Sequence, residues 1–323
     1  MYVFNQYIVK RLMYIVLNMV LISIIVFGIT TVLPGNAAET ILGRYATPEK
    51  VATLERELGL HQPIYIQYID WFSRFLIGDW GTSFQHNRPV FDLIVTRGIR
   101  SLYLAVITLI TIALVSIPLG VIAAVYHDSK IDFGITGVSY LGISIPEFVT
   151  GTGLLVVFAG PVFGVFPAGG YTSLSEGGIL PWISHLALPV ITLIILSISH
   201  LMRLTRTEMV ETLKSDYIRT ARLKGLDGKT VVLKHAVRNG LMPTVTLLAM
   251  SVGYLMGGIV VVEEVFAYPG LGRLIVGSVT SRDIPVLQAS ILLVAFVYMF
   301  ANLAADIIYT RLDPRIKYGG SAS

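Results

Sequence analysis

The sequence predicts an all-α, polytopic membrane protein with six transmembrane helices. Of its 323 residues, 54% are hydrophobic and only 14% are charged, whereas a soluble domain is roughly 45–50% apolar and about 25% charged. The mean hydropathy is +0.74. These charged side chains are too few to cover the surface of a soluble protein of this length. Lipid is therefore expected to cover part of the surface of this protein.

Apolar runs long enough to cross a bilayer as helices recur along the chain. The predicted spans are Met13–Val32, Ile99–Val125, Phe133–Phe158, His185–Met202, Pro243–Val262 and Val286–Tyr309. The first run follows Lys10-Arg11 and could be a signal peptide. Its length of about 20 residues exceeds the roughly 7–15 residues of the apolar core of a signal peptide, so we predict a retained helix.

Basic residues predict which loops are cytoplasmic. The loop from Arg203 to Arg238 contains nine Lys and Arg residues, and both termini are basic, whereas the short loops opposite carry only Arg273 and Arg282. Short basic loops stay on the cytoplasmic side. We therefore expect both termini inside and the long loop of residues 33–100 outside. The net charge of +4 then reflects these loops, and no nucleic-acid partner is expected.

The long first loop carries local signals of two helices. Thr47-Pro48-Glu49 predicts a helix start, and Gly59 a helix end. Pro63 then begins an aromatic stretch that contains Tyr65, Tyr68, Trp71, Phe72 and Phe75. This stretch suits either an interfacial helix on the outer leaflet or simple packing against the spans.

The polar loop between the fourth and fifth spans predicts two short helices. Asp216 is a candidate cap for the first helix and Gly225 a candidate terminator. A second amphipathic run extends from Thr230 to Asn239 and leads to Pro243.

This loop closely resembles the EAA loop of ABC importer permeases. In that family a three-residue core ending in alanine is followed by glycine four positions later and then by a proline. Here these are Arg219-Thr220-Ala221, Gly225 and Pro243. Arg-Thr in place of Glu-Ala resembles the dipeptide/oligopeptide (nickel) branch.

The resemblance covers nearly the whole chain, and the order and spacing of the motifs make it specific. The other matching motifs include Leu33-Pro34-Gly35, Gly78-Asp79-Trp80-Gly81-Thr82-Ser83, Ser144-Ile145-Pro146, Pro269-Gly270-Leu271-Gly272 and Leu312-Asp313-Pro314-Arg315.

The resemblance implies a type I ABC importer permease fold in a prokaryotic cytoplasmic (inner) membrane. The implied partners are a second permease subunit in a heterodimer, two cytoplasmic ATPase subunits that bind the ATP, an extracytoplasmic substrate-binding protein and membrane lipid. The chain would then need no cofactor of its own. The expected segments are 1–98, with the first helix and the external loop; 99–310, the permease core with the coupling loop 203–242; and 311–323, a cytoplasmic tail.

By the same resemblance, the short helix near Asp216 is the coupling helix that seats on an ATPase. The implied coupling residues are Asp216, Arg219, Thr220, Ala221, Gly225 and Leu226. A rigid element with different contacts in two states can transmit ATP-driven movement. We therefore predict that aspartate at position 221 or 225 uncouples the ATPase from transport.

The resemblance favours di- or oligopeptides as substrates, with nickel chelates or oligosaccharides as alternatives. An ion-gradient-driven secondary transporter is the main rival function. Such folds usually show internal repeats, and we find no convincing repeat here.

The third span contains a candidate pathway residue, Glu147, directly after Pro146. An ionisable residue within a membrane is costly and indicates function by default. Ser144 and Glu147 are therefore possible translocation-pathway residues. Alternatively, Glu147 stabilises the start of a helix after Pro146 or pairs with a polar neighbour.

Other motifs give weaker indications. Gly228-Lys229-Thr230 resembles the end of a Walker A loop, but position 223 is leucine where that loop requires glycine. We therefore predict no ATP site, and the chain has no cysteine, no histidine spacing typical of a metal site and no catalytic motif.

Gly253 and Gly257 form a G-x-x-x-G pair that predicts a close helix contact, within the subunit or with a partner permease. Asp306 is expected to pair with Arg311.

Overall fold

The computed structural model describes residues 2–32, 42, 46–57, 59–161 and 163–312, and the regular secondary structure of these residues is helical, with no β-strand. The helices are α1 (Tyr2–Val32), α2 (Pro48–Glu57), α3 (Ile64–Leu76), α4 (Val90–Val125), α5 (Lys130–Ser144), α6 (Glu147–Leu154), α7 (Leu174–Gly177), α8 (Ile179–Leu213), α9 (Asp216–Leu223), α10 (Gly228–Thr230), α11 (Val237–Gly240), α12 (Met242–Val265), α13 (Leu271–Ser281) and α14 (Ile284–Leu312). A π-helical stretch, Leu155–Ala159, extends α6, and another, Val231–Ala236, joins α10 to α11.

Within these described ranges, four helices are long and apolar enough to cross a membrane unbroken. They are α1 from Ile8 onward, α4, α8 and the Ile284–Ile307 part of α14. Two further spans are bent. Counting each bent pair as one span gives six, as the sequence predicts.

The third span is not the continuous helix predicted from Phe133 to Phe158. Its two limbs, Lys130–Gly142 and Glu147–Ala159, meet at 99°. Proline lacks an N–H and disfavours helical geometry in the residue before it, so Ile145 is extended (φ −109°, ψ 125°). Because of this α5 ends at Ser144, and α6 begins after Pro146.

Predicted boundaries also differ in the longest helices. At 36 and 35 residues, α4 and α8 extend beyond the predicted apolar runs. Pro118 and Pro189 lie inside these helices without ending them. The fifth span, α12, bends by 51° between Gly253 and Leu255.

Contacts group the chain into two units, Met1–Ser101 with Pro269–Met299, and Leu102–Tyr268 with Phe300–Ser323. In the first unit, Val90, Ile94 and Val286 are at the centre of the apolar core. The start of α2 confirms its predicted cap, because the Lys50 N–H donates to the Thr47 hydroxyl.

A buried carboxylate organises the loop before α4 in this first unit. Asp283 accepts hydrogen bonds from the Ser83 hydroxyl and from the backbone N–H groups of Phe84 and Gln85. The bond from Ser83 attaches the last residue of the Gly78-Asp79-Trp80-Gly81-Thr82-Ser83 motif to the residue that precedes α14.

The second unit is built around α8. Leu188, Leu193 and Leu201 of this helix are buried in its main apolar core, together with Ile259 and Phe266. The same helix continues into the loop that resembles the coupling region, so this unit contains every predicted coupling and pathway residue.

Candidate functional site

The short helix α9 begins one residue earlier than its predicted cap implies. Ser215 has the extended cap geometry, and Asp216 is the first helical residue. The prediction that Asp216 is the cap is therefore wrong. The Ser215 side chain makes no capping hydrogen bond, but an aspartate in the first turn is favoured by the helix dipole.

Gly225 ends α9 as predicted. Its φ of +79° is left-handed, a conformation that glycine adopts without strain. The Gly225 N–H donates to the Arg222 carbonyl and the Leu226 N–H to the Ala221 carbonyl. Together these two bonds form a Schellman motif, which fixes the direction of the chain at Leu226.

One face of α9 packs into the chain's own interior. Ile218 and Ala221 are buried with Met209, Val210 and Val231, and we call this group the α9 cluster. The small side chain of Ala221 therefore allows packing within the subunit. Ala221, one of the implied coupling residues, therefore faces inward and not toward a partner.

The opposite face of α9 is exposed and carries both apolar and basic groups. Leu223 is 80% exposed, and Arg219, Arg222 and Lys224 are exposed around it. Leu223 was missed in the sequence analysis. The signal was available, because five residues along a helix place it about 140° from the buried Ile218.

The remaining predicted coupling residues are also solvent-exposed. They are Asp216, Arg219, Thr220, Gly225 and Leu226. The Thr220 hydroxyl donates to the Asp216 carbonyl within α9, so it is engaged locally in this structure.

The second predicted helix of the loop begins at Gly228, two residues before the predicted start. Asp227 caps it by accepting the Thr230 N–H at 3.1 Å. Hydrogen bonds from the Thr230 side chain and backbone lower the pKa of the Asp227 carboxyl. Asn239 near the end of this segment donates to the Tyr217 hydroxyl at 3.2 Å, which links it to α9.

The two candidate pathway residues flank the bend of the third span. Ser144 is exposed, and its hydroxyl donates to the Tyr140 carbonyl. Glu147 is half-buried, and within the described residues its carboxylate forms no hydrogen bond or ion pair. The structure brings Glu147 against Gly258 of α12, where an added Cβ would lie 2.7 Å from Glu147 Oε1.

Among the described residues, nothing lies within 4 Å of a Cβ built on Gly257, whereas one on Gly258 would meet the Glu147 carboxylate. The contact that the G-x-x-x-G pair predicts is therefore not made by Gly257 within this part of the subunit, and a contact with a partner permease stays a prediction. The predicted pairing of Asp306 with Arg311 lies outside the described side chains.

A charged pair that the sequence analysis missed ties the first limb of the third span to α8. Arg206 Nε and Nη2 donate to the two carboxylate oxygens of Asp132, each at 2.6 Å. The Asp132 side chain is only 3% exposed. His127, Asp128 and Asp132 lie near enough together to hold a cation, but Arg206 already occupies both oxygens of Asp132.

Two more contacts join α5 to α8 along their length. The Ser199 hydroxyl donates to the Ser139 carbonyl, and an added Cβ on Gly142 would lie 2.6 Å from the Ile195 carbonyl oxygen. Together with the Asp132–Arg206 pair, these contacts occur at three positions along the helices. α5 and α8 therefore form one tightly packed pair.

Two family models together match most of the chain. The N-terminal model for membrane components of binding-protein-dependent transport systems matches residues 4–105, and the model for their inner membrane component matches residues 116–318. The chain belongs to this family of importer permeases. The permease is accordingly a multi-pass inner-membrane transport subunit and not an enzyme, and the ATPase resides on a separate subunit. Its partners include ATPase and substrate-binding proteins.

Relatives match the permease over nearly its full length. It is 37% identical over 312 residues to a probable peptide ABC transporter permease protein, y4tP, of Sinorhizobium fredii, covering 97% of this chain and 99% of that one. It is 37% identical over 314 residues to the glutathione transport system permease protein GsiC of Salmonella typhimurium, with the same coverage.

A solved structure confirms the predicted fold. The MetNI methionine ABC transporter in inward-facing conformations matches with a TM-score of 0.55 and 16% identity, over 70% of this chain and 98% of that one. The permease therefore has the fold of an ABC importer permease.

Proposed function

We propose that the permease forms the membrane pathway of a peptide importer and couples to its ATPases through α9, Gly225 and Leu226. The observation that carries the coupling assignment is the exposure of Leu223 on a helix whose other face is packed. An apolar side chain left in water within a basic loop gains free energy when a partner covers it. The adjacent Arg219, Arg222 and Lys224 suit a groove with an acidic rim.

The packing of α9 suits the transmission of force. Ile218 and Ala221 join α9 to Met209 and Val210 of α8, and α8 is paired with α5. A push on the exposed face of α9 would therefore reach the first limb of the third span through packed side chains and the Asp132–Arg206 pair. The hinge of that movement would be the extended Ile145-Pro146 segment.

The proposal places the loop of residues 203–238 and both termini on the cytoplasmic side. The supporting observation is the concentration of Lys and Arg in this loop. Because ATP-binding partners are cytoplasmic, docking on α9 is possible only in this orientation, and one docking experiment tests both claims.

We expect Leu223→Asp to abolish stable association of the ATPase subunits while leaving the permease folded. The substitution replaces the apolar centre of the proposed surface by a charge that repels an acidic groove. Co-purification of the complete transporter and ATP-dependent, vanadate-sensitive uptake measure the effect. Leu223→Met, which keeps an apolar side chain, is the matched control. Normal co-purification of ATPases with Leu223→Asp would exclude α9 as the docking helix.

The same co-purification tests the proposed assembly. We propose a second, different permease chain and two ATPase subunits per transporter. The open space beside Gly257, on a helix that bends one turn earlier, supports a close contact with the second permease chain. Mass determination of the intact complex identifies the subunits, and a complex with two copies of this chain would contradict the heterodimer.

Peptides are proposed as substrates because of the relatives' names and the charges near the bend. Residues 131–202 and 239–272 contain no Lys or Arg, while Glu147 lies within the third span. A carboxylate without a cationic neighbour in the sequence of these segments attracts a substrate ammonium group, which every peptide with a free amino terminus has. Ser144 and Glu147 are then pathway residues on either side of the hinge.

We expect Glu147→Gln to reduce the uptake rate of a peptide with a free amino terminus. The amide keeps the size of the side chain beside Gly258 but removes the charge. Uptake by the reconstituted transporter is compared for the free peptide and its N-acetylated form, with Ser144→Ala as the second variant. If Glu147→Gln leaves uptake of the free peptide unchanged, Glu147 is not a pathway residue.

A further inference from the structure

We infer that α3 lies in the membrane interface with one stripe of apolar side chains against phospholipid acyl chains. This inference concerns the first unit only and does not depend on the coupling or substrate assignments. The proposed orientation makes the leaflet the outer one.

An aromatic face of α3 packs on α1. The Phe27 ring lies 5.5 Å from the Tyr68 ring and 5.4 Å from the Trp71 ring, measured between centroids. The Tyr68 hydroxyl is hydrogen-bonded to the Ser23 hydroxyl at 2.8 Å. Stacking of Tyr68 on Phe72 extends this face. Packing against a span, one of the two interpretations of the aromatic stretch, is therefore present.

The part of α1 that contacts α3 at Phe27 lies within the membrane span, short of its end at Val32. Exposed Lys10 and Arg11 set the opposite boundary near Leu12. The 21 residues from there to Val32 are about 31 Å long as a helix, which matches a hydrocarbon thickness of about 30 Å. Phe27 is five residues before Val32, or about 8 Å inside this boundary. Interfacial helices are immersed by about 5–10 Å.

A second face of α3 is apolar and uncovered at this depth. Tyr65, Ile69 and Leu76 are 63%, 62% and 68% exposed, and we call them the α3 stripe. Their spacing of four and then seven residues places them on one side of the helix. Three uncovered large apolar side chains within reach of the hydrocarbon are stable there, whereas in water they would form a costly exposed patch.

The third face of α3 is polar, as contact with water requires. Arg74 and Asp70 are exposed there and pair with each other at 3.1 Å. The helix thus divides into an aromatic face on α1, an apolar stripe and a polar face. Lipid is the occupant that fits the stripe, because α1 itself presents exposed Ile25 and Ile29 at the same level. A water-soluble binding protein would approach the polar face instead.

Spin labelling tests this placement directly, because the chain contains no cysteine. Single cysteines replace Ile69 or Leu76 on the stripe, and Arg74→Cys on the polar face is the matched control. The complete transporter is placed in vesicles of phosphatidylethanolamine and phosphatidylglycerol, and retained uptake shows that each variant is folded. Power saturation then measures collisions of each label with oxygen, which concentrates in lipid, and with a water-soluble nickel chelate.

We expect the oxygen-to-nickel collision ratio at positions 69 and 76 to be several-fold higher than at position 74. Addition of the binding protein should not change it. Equal ratios at 69 and 74 would overturn the inference. So would labels at 69 and 76 that meet the nickel chelate freely and become protected only when the binding protein is added, since the stripe would then be a protein-docking surface.

Discussion

Arg206→Ala is expected to destabilise the permease by about 3–5 kcal/mol, the effect of removing one partner of a buried ion pair. The carboxylate of Asp132, only 3% exposed beside Arg206, would lose its charged partner. Its other partners are the Asp128 N–H at 3.0 Å and the Thr136 hydroxyl at 3.3 Å. These neutral donors do not compensate a buried negative charge as the bidentate guanidinium does.

The thermal unfolding midpoint of the purified transporter measures this effect. Arg203→Ala is the matched control, since Arg203 is exposed one turn earlier on the same helix and its removal should change the midpoint little. The paired replacement Asp132→Leu with Arg206→Met removes both charges and should recover most of the stability. A midpoint for Arg206→Ala equal to that of Arg203→Ala would show that the pair is not buried.

The paired variant also separates stability from transmission. If the charged pair serves only to hold α5 on α8, apolar replacements of similar size restore both the midpoint and uptake. If its directional hydrogen bonds are needed to move α5 with α8, the midpoint recovers but the uptake rate per transporter remains low. The second outcome would place Asp132 and Arg206 among the positioning residues of the transport cycle.

Much of the fold could be predicted from local sequence signals. Apolar run lengths gave the spans, and Thr47, Pro48 and Gly225 marked helix ends by chemistry that acts within a few residues. The bend at Pro146 shows the limit of this reasoning. Pro118 and Pro189 are the same residue type within spans, yet α4 and α8 continue through them, so the tertiary surroundings decide whether a proline ends a membrane helix.

The contacts that build the candidate site depend on distant residues, and the sequence did not reveal them. Asp132 and Arg206 are 74 positions apart, and no local pattern indicates their pairing. Similarly, no local pattern indicates that Glu147 of the third span lies against Gly258 of α12. For α9, the motif located the helix correctly, whereas the structure was needed to show that Ile218 and Ala221 are its buried side. Once that side is known, helix spacing places Leu223 outward.

The inward position of Ala221 makes Ala221→Asp the other substitution with a large expected effect. A carboxylate there would enter the α9 cluster, which contains only apolar side chains at its centre. Burying an uncompensated polar group costs at least about 2 kcal/mol, and a charged group more. We therefore expect α9 to detach from α8, with loss of ATPase association and of uptake.

Thr220→Asp is the control that distinguishes damage to the α9 cluster, which holds α9 on α8, from damage to the docking surface. It adds the same charge to the adjacent, exposed position of α9. The thermal midpoint should therefore stay near that of the unmodified transporter. ATPase association should weaken if the exposed surface of α9 docks in an acidic groove. Ala221→Asp should lower both the midpoint and the association. An unchanged midpoint for Ala221→Asp would mean that α9 is not seated on the α9 cluster.

Gly225→Asp, which the sequence analysis grouped with Ala221→Asp, is expected to be milder. A Cβ on Gly225 meets no atom within 4 Å, so the substitution mainly forces a non-glycine residue into a left-handed conformation. That costs roughly 1–2 kcal/mol for most residues and less for aspartate. The two aspartate variants should thus differ in the midpoint even where both weaken coupling, because one breaks the packed face of α9 and the other only loosens its C-terminal turn.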